Sequence, residues 1–129
     1  MIYRSKAPLR IGLAGGGTDV SPYSDLHGGA ILNATISLSA YASIEPLNEM
    51  EIIVEALDRK EQQHFPWMLQ LPIDGTLDLL KGVYNRIQKE FHMPLTGFRL
   101  STFVDAPAGS GLGTGVITQL NINGYYSAA

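Results

Sequence analysis

Apolar and polar positions change period several times along this chain, and the changes mark its elements. Residues 3–13 read as a strand that runs into a turn at Gly15, Gly16 and Gly17. Residues 19–26 read as a short turn or helix. Residues 30–44 alternate in part and are rich in Ile, Thr, Ser and Tyr, which predicts one long strand or two short ones. Pro46, Leu47, Asn48 and Glu49 interrupt that run. Residues 50–57, centred on Ile52, Ile53 and Val54, predict a further strand, so residues 36–57 read as a hairpin. Residues 58–72 are polar and without a period, and read as irregular. Leu77, Leu80, Tyr84, Ile87 and Phe91 recur at helical spacing, which predicts an amphipathic helix over residues 76–91, stopped by Met93 and Pro94. Residues 95–104 return to a strand pattern and deliver a glycine-rich loop. The predicted order is β-β-β-β-α-β-loop, an α+β arrangement. The chain has no internal repeat and no low-complexity segment.

The loop after that last strand carries the strongest chemical signal. Residues 105–114 read Asp-Ala-Pro-Ala-Gly-Ser-Gly-Leu-Gly-Thr, with Gly109, Gly111 and Gly113 close together. Glycines there remove the side chains that would hold a backbone away from a ligand. Successive N–H groups in such a turn form an anion-binding nest, and a helix starting at Thr114 would add its positive end. The pattern asks for a phosphate. It is not a Walker A loop, because no lysine follows the glycines. Nor is it a dinucleotide fingerprint: the sixth place is Thr114 counted from Gly109, and Val116 counted from Gly111. The plain alternative is a strand-to-helix turn that needs glycine only for its conformation.

The match Pro-x-x-x-Gly-Leu-Gly-Ser/Thr, carried by Pro107 to Thr114, resembles the ATP-phosphate loop of the GHMP kinases. These include galactokinase, homoserine kinase, mevalonate kinase and phosphomevalonate kinase. The N-terminus carries a second match. Residues 7–19 read Ala-Pro-Leu-Arg-Ile-Gly-Leu-Ala-Gly-Gly-Gly-Thr-Asp, similar to the opening strand and turn of the same superfamily. The Gly-Gly-Gly-Thr-Asp form, and the segment His27 to Ile36 after it, look like the D-glycero-D-manno-heptose 7-phosphate kinases and the fucokinase-like enzymes. The resemblance covers residues 2 to about 114. It implies the N-terminal part of an ATP-binding domain, with a mixed or antiparallel sheet, one main amphipathic helix and a ribosomal-protein-like β-α-β fold.

The resemblance also implies roles. Arg10 occupies the Arg/Lys place of the first motif, where a fixed cation would neutralise charge on a transferring phosphoryl group. The other reading of Arg10 is an edge arginine paired with a surface carboxylate. Gly16, Gly17, Thr18 and Asp19 fall on the sugar-binding turn. Asp19 would accept hydroxyl hydrogen bonds there, or else stabilise the turn or cap a helix. Pro107, Gly109, Ser110, Gly111, Leu112, Gly113 and Thr114 fall on the ATP loop. Thr114 is also the candidate Mg²⁺ contact. Where these kinases usually continue with a second hydroxyl, this chain has Gly115 and Val116. ATP and Mg²⁺ are the implied cofactors, and a sugar or sugar phosphate the implied substrate. His27, His64 and His92 show no ligand spacing. Trp67 reads as local core, and Asp25, Asp74 and Asp78 as turn and cap residues.

Composition narrows the alternatives. The 129 residues are 45% hydrophobic, enough for a core, and 16% charged, with a formal net charge of −3. Such a balance gives no basic patch for nucleic acid. Without cysteine there is no disulfide and no thiolate metal site. No run of 18 apolar residues suits a membrane span. Glycines interrupt the segment after Arg4, Lys6 and Arg10, unlike a signal peptide, so the cytoplasm is the expected compartment.

Residues 115–129 depart from the family pattern. Their β-branched residues and Asn123-Gly124 make a poor helix and a fair hairpin signal. The expectation is a partial kinase domain over residues 1–114 and an atypical, frameshifted tail over residues 115–129. Such a fragment would lack the later catalytic aspartate and the closing C-terminal domain, and would be inactive alone. Apolar surface left open by the missing half would favour self-association. Two other classes remain: a non-catalytic nucleotide- or phosphate-binding module, and a dinucleotide oxidoreductase suggested by a strand followed by glycines.

Overall fold

A computed structural model describes residues 1–92, 95–107, 109 and 110. They form β1 (Tyr3–Ala14), α1 (Tyr23–His27), β2 (Leu32–Leu47), β3 (Glu51–Ala56), β4 (Glu61–Pro66), α2 (Asp78–Phe91) and β5 (Gly97–Val104). The strands make one mixed sheet in the order β1-β2-β5-β3-β4. Only β3 and β5 run parallel; the other neighbours are antiparallel. This is the α+β architecture expected, and five strands are found, but they divide the chain differently.

Residues 32–44 belong to one long strand, β2, which Pro46 does not interrupt and which runs on to Leu47. The fifth strand comes from the segment read as irregular. β4 was invisible because Glu61, Gln62, Gln63 and His64 carry no apolar alternation. It lies at the sheet edge, where every other position faces water, and such a strand needs little apolar content. Its pairing with β3 runs from Ala56↔Glu61 to Glu51↔Pro66 through a turn with Lys60 in the left-handed region.

The expected hairpin of residues 36–57 does not form. β5 is inserted between β2 and β3, pairing Ile44↔Leu100 on one side and Val54↔Leu100 on the other. β3 and β5 run parallel, so the chain must cross over between them, and α2 is the crossover. α2 lays Leu80, Val83, Tyr84 and Ile87 on one sheet face, against Ala42, Ile44, Ile52, Val54, Phe98 and Leu100. Phe91, last of the spaced positions, is 62% exposed. Trp67 packs at the margin of this core, as expected. The Tyr84 hydroxyl donates to Met68 O at 2.7 Å, and Asn85 holds Leu71 through both its N–H and its C=O.

Asp74 and Asp78 serve the turn before α2, and they also hold a buried cation. The Lys81 side chain is fully buried, with Nζ 2.6 Å from Asp74 Oδ1 and 3.1 Å from Asp78 Oδ1. The hydrogen bond from Lys81 holds the Asp74 carboxyl down at about 2, helped by the Thr76 N–H and the Gln63 amide. Burial pushes Asp78 upward, but Lys81 and the N–H groups of Asp74 and Gly75 outweigh it, so Asp78 is also lowered. For Lys81 burial favours the neutral amine, and the two carboxylates outweigh that and raise it. A carboxylate lowered by folding stabilises the fold above its ordinary 3.8 and loses that contribution as pH falls towards about 2. The raised lysine contributes fully below 10.5 and loses its contribution as pH rises past its folded value. Thermal melts across a pH series should therefore fall in the acid window between 3.8 and about 2. Asp74→Asn should make that limb shallower; an unchanged limb would contradict the assignment.

Several apolar side chains lie exposed on the far half of the β1–β2 ribbon and in the segment joining the two strands, including Leu13 (61%), Leu26 (74%) and Leu32 (60%). Among the described residues no helix is long and apolar enough to cross a membrane.

Candidate functional site

Strand register places the two glycine loops relative to one another. Val104, the last residue of β5, pairs with Ala40, and Ala40 pairs with Ala7 on β1. The glycine-rich loop after β5 therefore leaves the sheet level with Ala7 and Pro8. β1 and β2 continue past that level as a two-stranded ribbon, with Arg10 opposite Thr35 and Ala14 opposite Leu32. β1 and β5 both run antiparallel to β2, so both loops lie beyond the same edge of the sheet. Arg10 sits on the ribbon between the root of one loop and the turn of the other. At strand rise it lies about 10 Å along β1 from Ala7.

A small second core fixes this arrangement. Leu9 and Ala40 are fully buried and cluster with Ala106, against Ala7, Ile36 and Val104. Leu9 immediately precedes Arg10, and Ala106 immediately precedes Pro107, so one apolar contact ties the catalytic candidate to the ATP-loop candidate. The β1–β2 pairing shifts register between Pro8 and Arg10, so Arg10 lies just past an irregularity in the ladder. Arg10 is half-buried, and it has no ion pair among the described residues. That disfavours the reading of an edge arginine spent on a surface carboxylate.

The first glycine turn is built around Thr18. Gly15 and Gly17 adopt left-handed φ of 78° and 87°. The Thr18 N–H donates to Gly15 O at 3.1 Å. The Thr18 hydroxyl lies 2.7 Å from Gly15 O and 3.0 Å from Ala30 O, and it accepts the Ala30 N–H at 3.1 Å. This hydroxyl is a clasp between the turn and the segment after α1. The two backbones are so close that a Cβ on Gly15 would lie 1.9 Å from Ala30 O, and one on Gly29 would lie 2.3 Å from Thr18 O. Gly16, Gly17 and Asp19 are exposed on its outer side. Asp19 makes no hydrogen bond to another described residue, and α1 has no side-chain cap, so its carboxylate is not used as a helix cap. Asp25 instead accepts from Ser21 Oγ. His27 is exposed and packs on Tyr23, with ring centroids 5.0 Å apart. His64 pairs with Glu51 and His92 ends α2, so the three histidines are not brought together.

Of the second loop, Pro107, Gly109 and Ser110 are described, and all three are exposed. Gly109 has φ of 79° with open space around its Cβ position, and the Ser110 N–H donates to Pro107 O at 3.2 Å. A tight turn with a left-handed glycine and no atom of another described residue within 4 Å of its Cβ position suits close approach by an anion. Gly111, Leu112, Gly113 and Thr114, with the Mg²⁺ contact assigned to Thr114, lie outside the described residues.

Sequence reasoning missed Gly15, Gly29 and Asp105. Gly15 and Gly29 shape the first turn without facing its open side. Their signal was present as the doublets Gly15-Gly16 and Gly28-Gly29, whose mutual contact only the fold reveals. Asp105 read as the first residue of the loop; it is bonded back to β2 through Ser39 and Tyr41.

Comparison with known proteins finds relatives among sugar kinases. No protein-family model matches the chain. It is 43% identical over 110 residues to the D-glycero-alpha-D-manno-heptose 7-phosphate kinase of Campylobacter jejuni, covering 85% of this chain and 32% of that protein. Among solved structures, a D-glycero-D-manno-heptose 1-phosphate kinase from Bacteroides thetaiotaomicron matches with a TM-score of 0.87 and 50% identity, over 98% of this chain and 42% of that one. The mevalonate kinase of Methanococcus jannaschii matches with a TM-score of 0.78 at 17% identity, over 100% of this chain and 42% of that one, a likeness of fold alone. The chain thus spans less than half the length of each of these relatives.

Proposed function

Since the chain belongs to the GHMP kinases and has the fold of their N-terminal domain, we propose that it supplies the ATP-phosphate loop and part of the sugar site of a heptose-phosphate kinase. The observation that carries this reading is the register that sets Arg10 between the two glycine loops, beyond one edge of the sheet. ATP phosphates lie on the backbone N–H groups of the loop from Pro107 to Thr114. The sugar lies on the exposed side of Gly16, Gly17 and Asp19, whose carboxylate accepts from its hydroxyls. A sugar hydroxyl oxygen attacks the γ-phosphorus, and the bond to the bridging oxygen of ADP breaks. The hydroxyl proton leaves to a base that the resemblance places after Thr114. Arg10 holds the charge that develops on the transferring group.

Mg²⁺, when bound, neutralises phosphate oxygens, which are its preferred hard ligands. The open turn at Gly109 fits a phosphate group. Thr18 is assigned to holding the sugar turn, since its hydroxyl already bonds within the chain.

Two relatives are named for a D-glycero-D-manno-heptose phosphate, which directs the choice of substrate. The test is ADP release by the protein carrying this chain, with Mg²⁺-ATP and a panel of sugars. Release that depends on a heptose phosphate, and far exceeds that with galactose or mevalonate, is expected. ATP binding with no transfer to any sugar would replace this reading with a nucleotide-binding module.

A further inference from the structure

β2 and β5 end their pairing in an unusual way. The ladder ends at Ala40↔Val104, and one residue beyond it a backbone hydrogen bond sets Asp105 beside Ser39. In an antiparallel ladder such a pair exchanges two bonds, each N–H donating to the other residue's C=O. The first is present: the Asp105 N–H donates to Ser39 O at 3.0 Å. The second is not made to the carbonyl. The Ser39 N–H donates instead to the Asp105 side chain, to Oδ2 at 2.8 Å. The Tyr41 hydroxyl approaches the same oxygen at 3.4 Å. Tyr41 is itself held between Lys6, 5.6 Å above its ring, and Phe103, at 6.3 Å between ring centroids.

We propose that Asp105 is a positioning residue for the ATP loop. Its carboxylate replaces its own carbonyl in the β ladder and thereby fixes where the main chain turns out of the sheet. This rests on the reading of residues 107–114 as an ATP loop. A strand that kept the regular ladder would hold Asp105 C=O towards β2 and carry the chain onward along the sheet. Moving the acceptor to the side chain lets the backbone rotate while Ser39 keeps its partner. A buried N–H without a partner is costly, so the substitution has to be complete. One residue on, Ala106 plugs into the Leu9–Ala40 cluster, and Pro107 begins the exposed turn. Two successive residues thus set the loop's direction, one by hydrogen bond and one by packing. The carboxylate is spent on Ser39 and Tyr41, so it does not act as a ligand beside the phosphates.

The shape of the clamp distinguishes acceptor from charge. An asparagine at residue 105 keeps a short side chain with an acceptor oxygen; an alanine does not. Titrations of ATP, and separately of heptose 7-phosphate, into the wild-type chain, Asp105→Asn and Asp105→Ala form the test. Amide hydrogen exchange at Ser39 is read in parallel. Losing a charge-assisted bond that orders the loop should weaken ATP about tenfold in Asp105→Ala. Asp105→Asn should recover most of that loss. Ser39 exchange should be fast in Asp105→Ala and slow in the other two, and heptose phosphate should bind all three alike. Equal ATP affinity in wild type and Asp105→Ala overturns the clamp and leaves the ATP assignment standing. A common loss of both ligands in Asp105→Ala, or no recovery in Asp105→Asn, also overturns it. A wild-type chain that binds heptose phosphate but not ATP removes the ATP assignment, and the clamp's role with it.

Discussion

Arg10→Ala should lower the rate of phosphoryl transfer by about a hundredfold to a thousandfold, the range for deleting one preorganised charge at a transition state. Arg10 is held half-buried on a strand whose preceding residue is locked in the small second core, so its backbone is fixed before any ligand arrives. Among the described residues it has no carboxylate partner to leave, and meeting a phosphoryl group therefore breaks no ion pair. Ground-state binding should change little if, as proposed, backbone N–H groups chiefly hold the phosphates. The loss belongs in kcat, with the KM for ATP within a few-fold of wild type. Arg10→Lys keeps the charge but not the fork of donors, and should fall between the two. A variant with normal kcat and a raised KM would place Arg10 on the bound nucleotide rather than on the group in transfer. Steady-state kinetics on the protein carrying this chain distinguishes the two.

Gly97→Ala should unfold the sheet more readily than any other single methyl added to a described glycine outside the turns. Gly97 opens β5, opposite Leu47 on β2 and one residue before the first β3–β5 pair, Ile52↔Phe98. A Cβ there would lie 1.8 Å from Glu49 O and 2.9 Å from both Glu51 N and Glu51 O. All three atoms are backbone, so no side chain can swing aside. Either β3 or the start of β5 must move by more than an ångström, at the point where the one parallel pairing begins. Forced overpacking costs about 1–3 kcal/mol where side chains can adjust, and a backbone collision belongs at or above the top of that range. A fall in melting temperature of about 10 °C or more follows. Gly82→Ala is the matched control. Gly82 lies inside α2 with nothing near its Cβ position, and alanine there should stabilise by roughly 1 kcal/mol. If both variants melt alike, the close approach of residues 49–51 to β5 is wrong.

What could be read from sequence depended on whether the relevant contact was local. α2 was legible because its four buried apolar positions, Leu80, Val83, Tyr84 and Ile87, repeat within one segment. β5 and its loop were legible because an apolar run ends in glycines. The separation of β2 from β3 was not, since it depends on a strand that arrives only after α2. β4 was hidden because an edge strand with alternate residues in water carries no apolar signature. The site divides in the same way. Arg10, Asp19 and the exposed glycines stood out through motif. The Thr18 clasp to Ala30, the Gly15 and Gly29 contacts, and the Asp105 bond to Ser39 join residues 11 to 66 positions apart, and local pattern cannot show them.

The central claim is that two glycine-built loops on one chain divide the substrates, ATP on the second and sugar phosphate on the first. Amide NMR mapping of the 129-residue chain tests it most directly, with ATP and heptose 7-phosphate added in turn. The two-site assignment predicts that ATP shifts the Gly109 and Ser110 amides and leaves Gly16, Gly17 and Asp19 largely in place. Heptose 7-phosphate should do the reverse. Shifts from both ligands at the same loop, or from neither ligand at either loop in a folded chain, would contradict it.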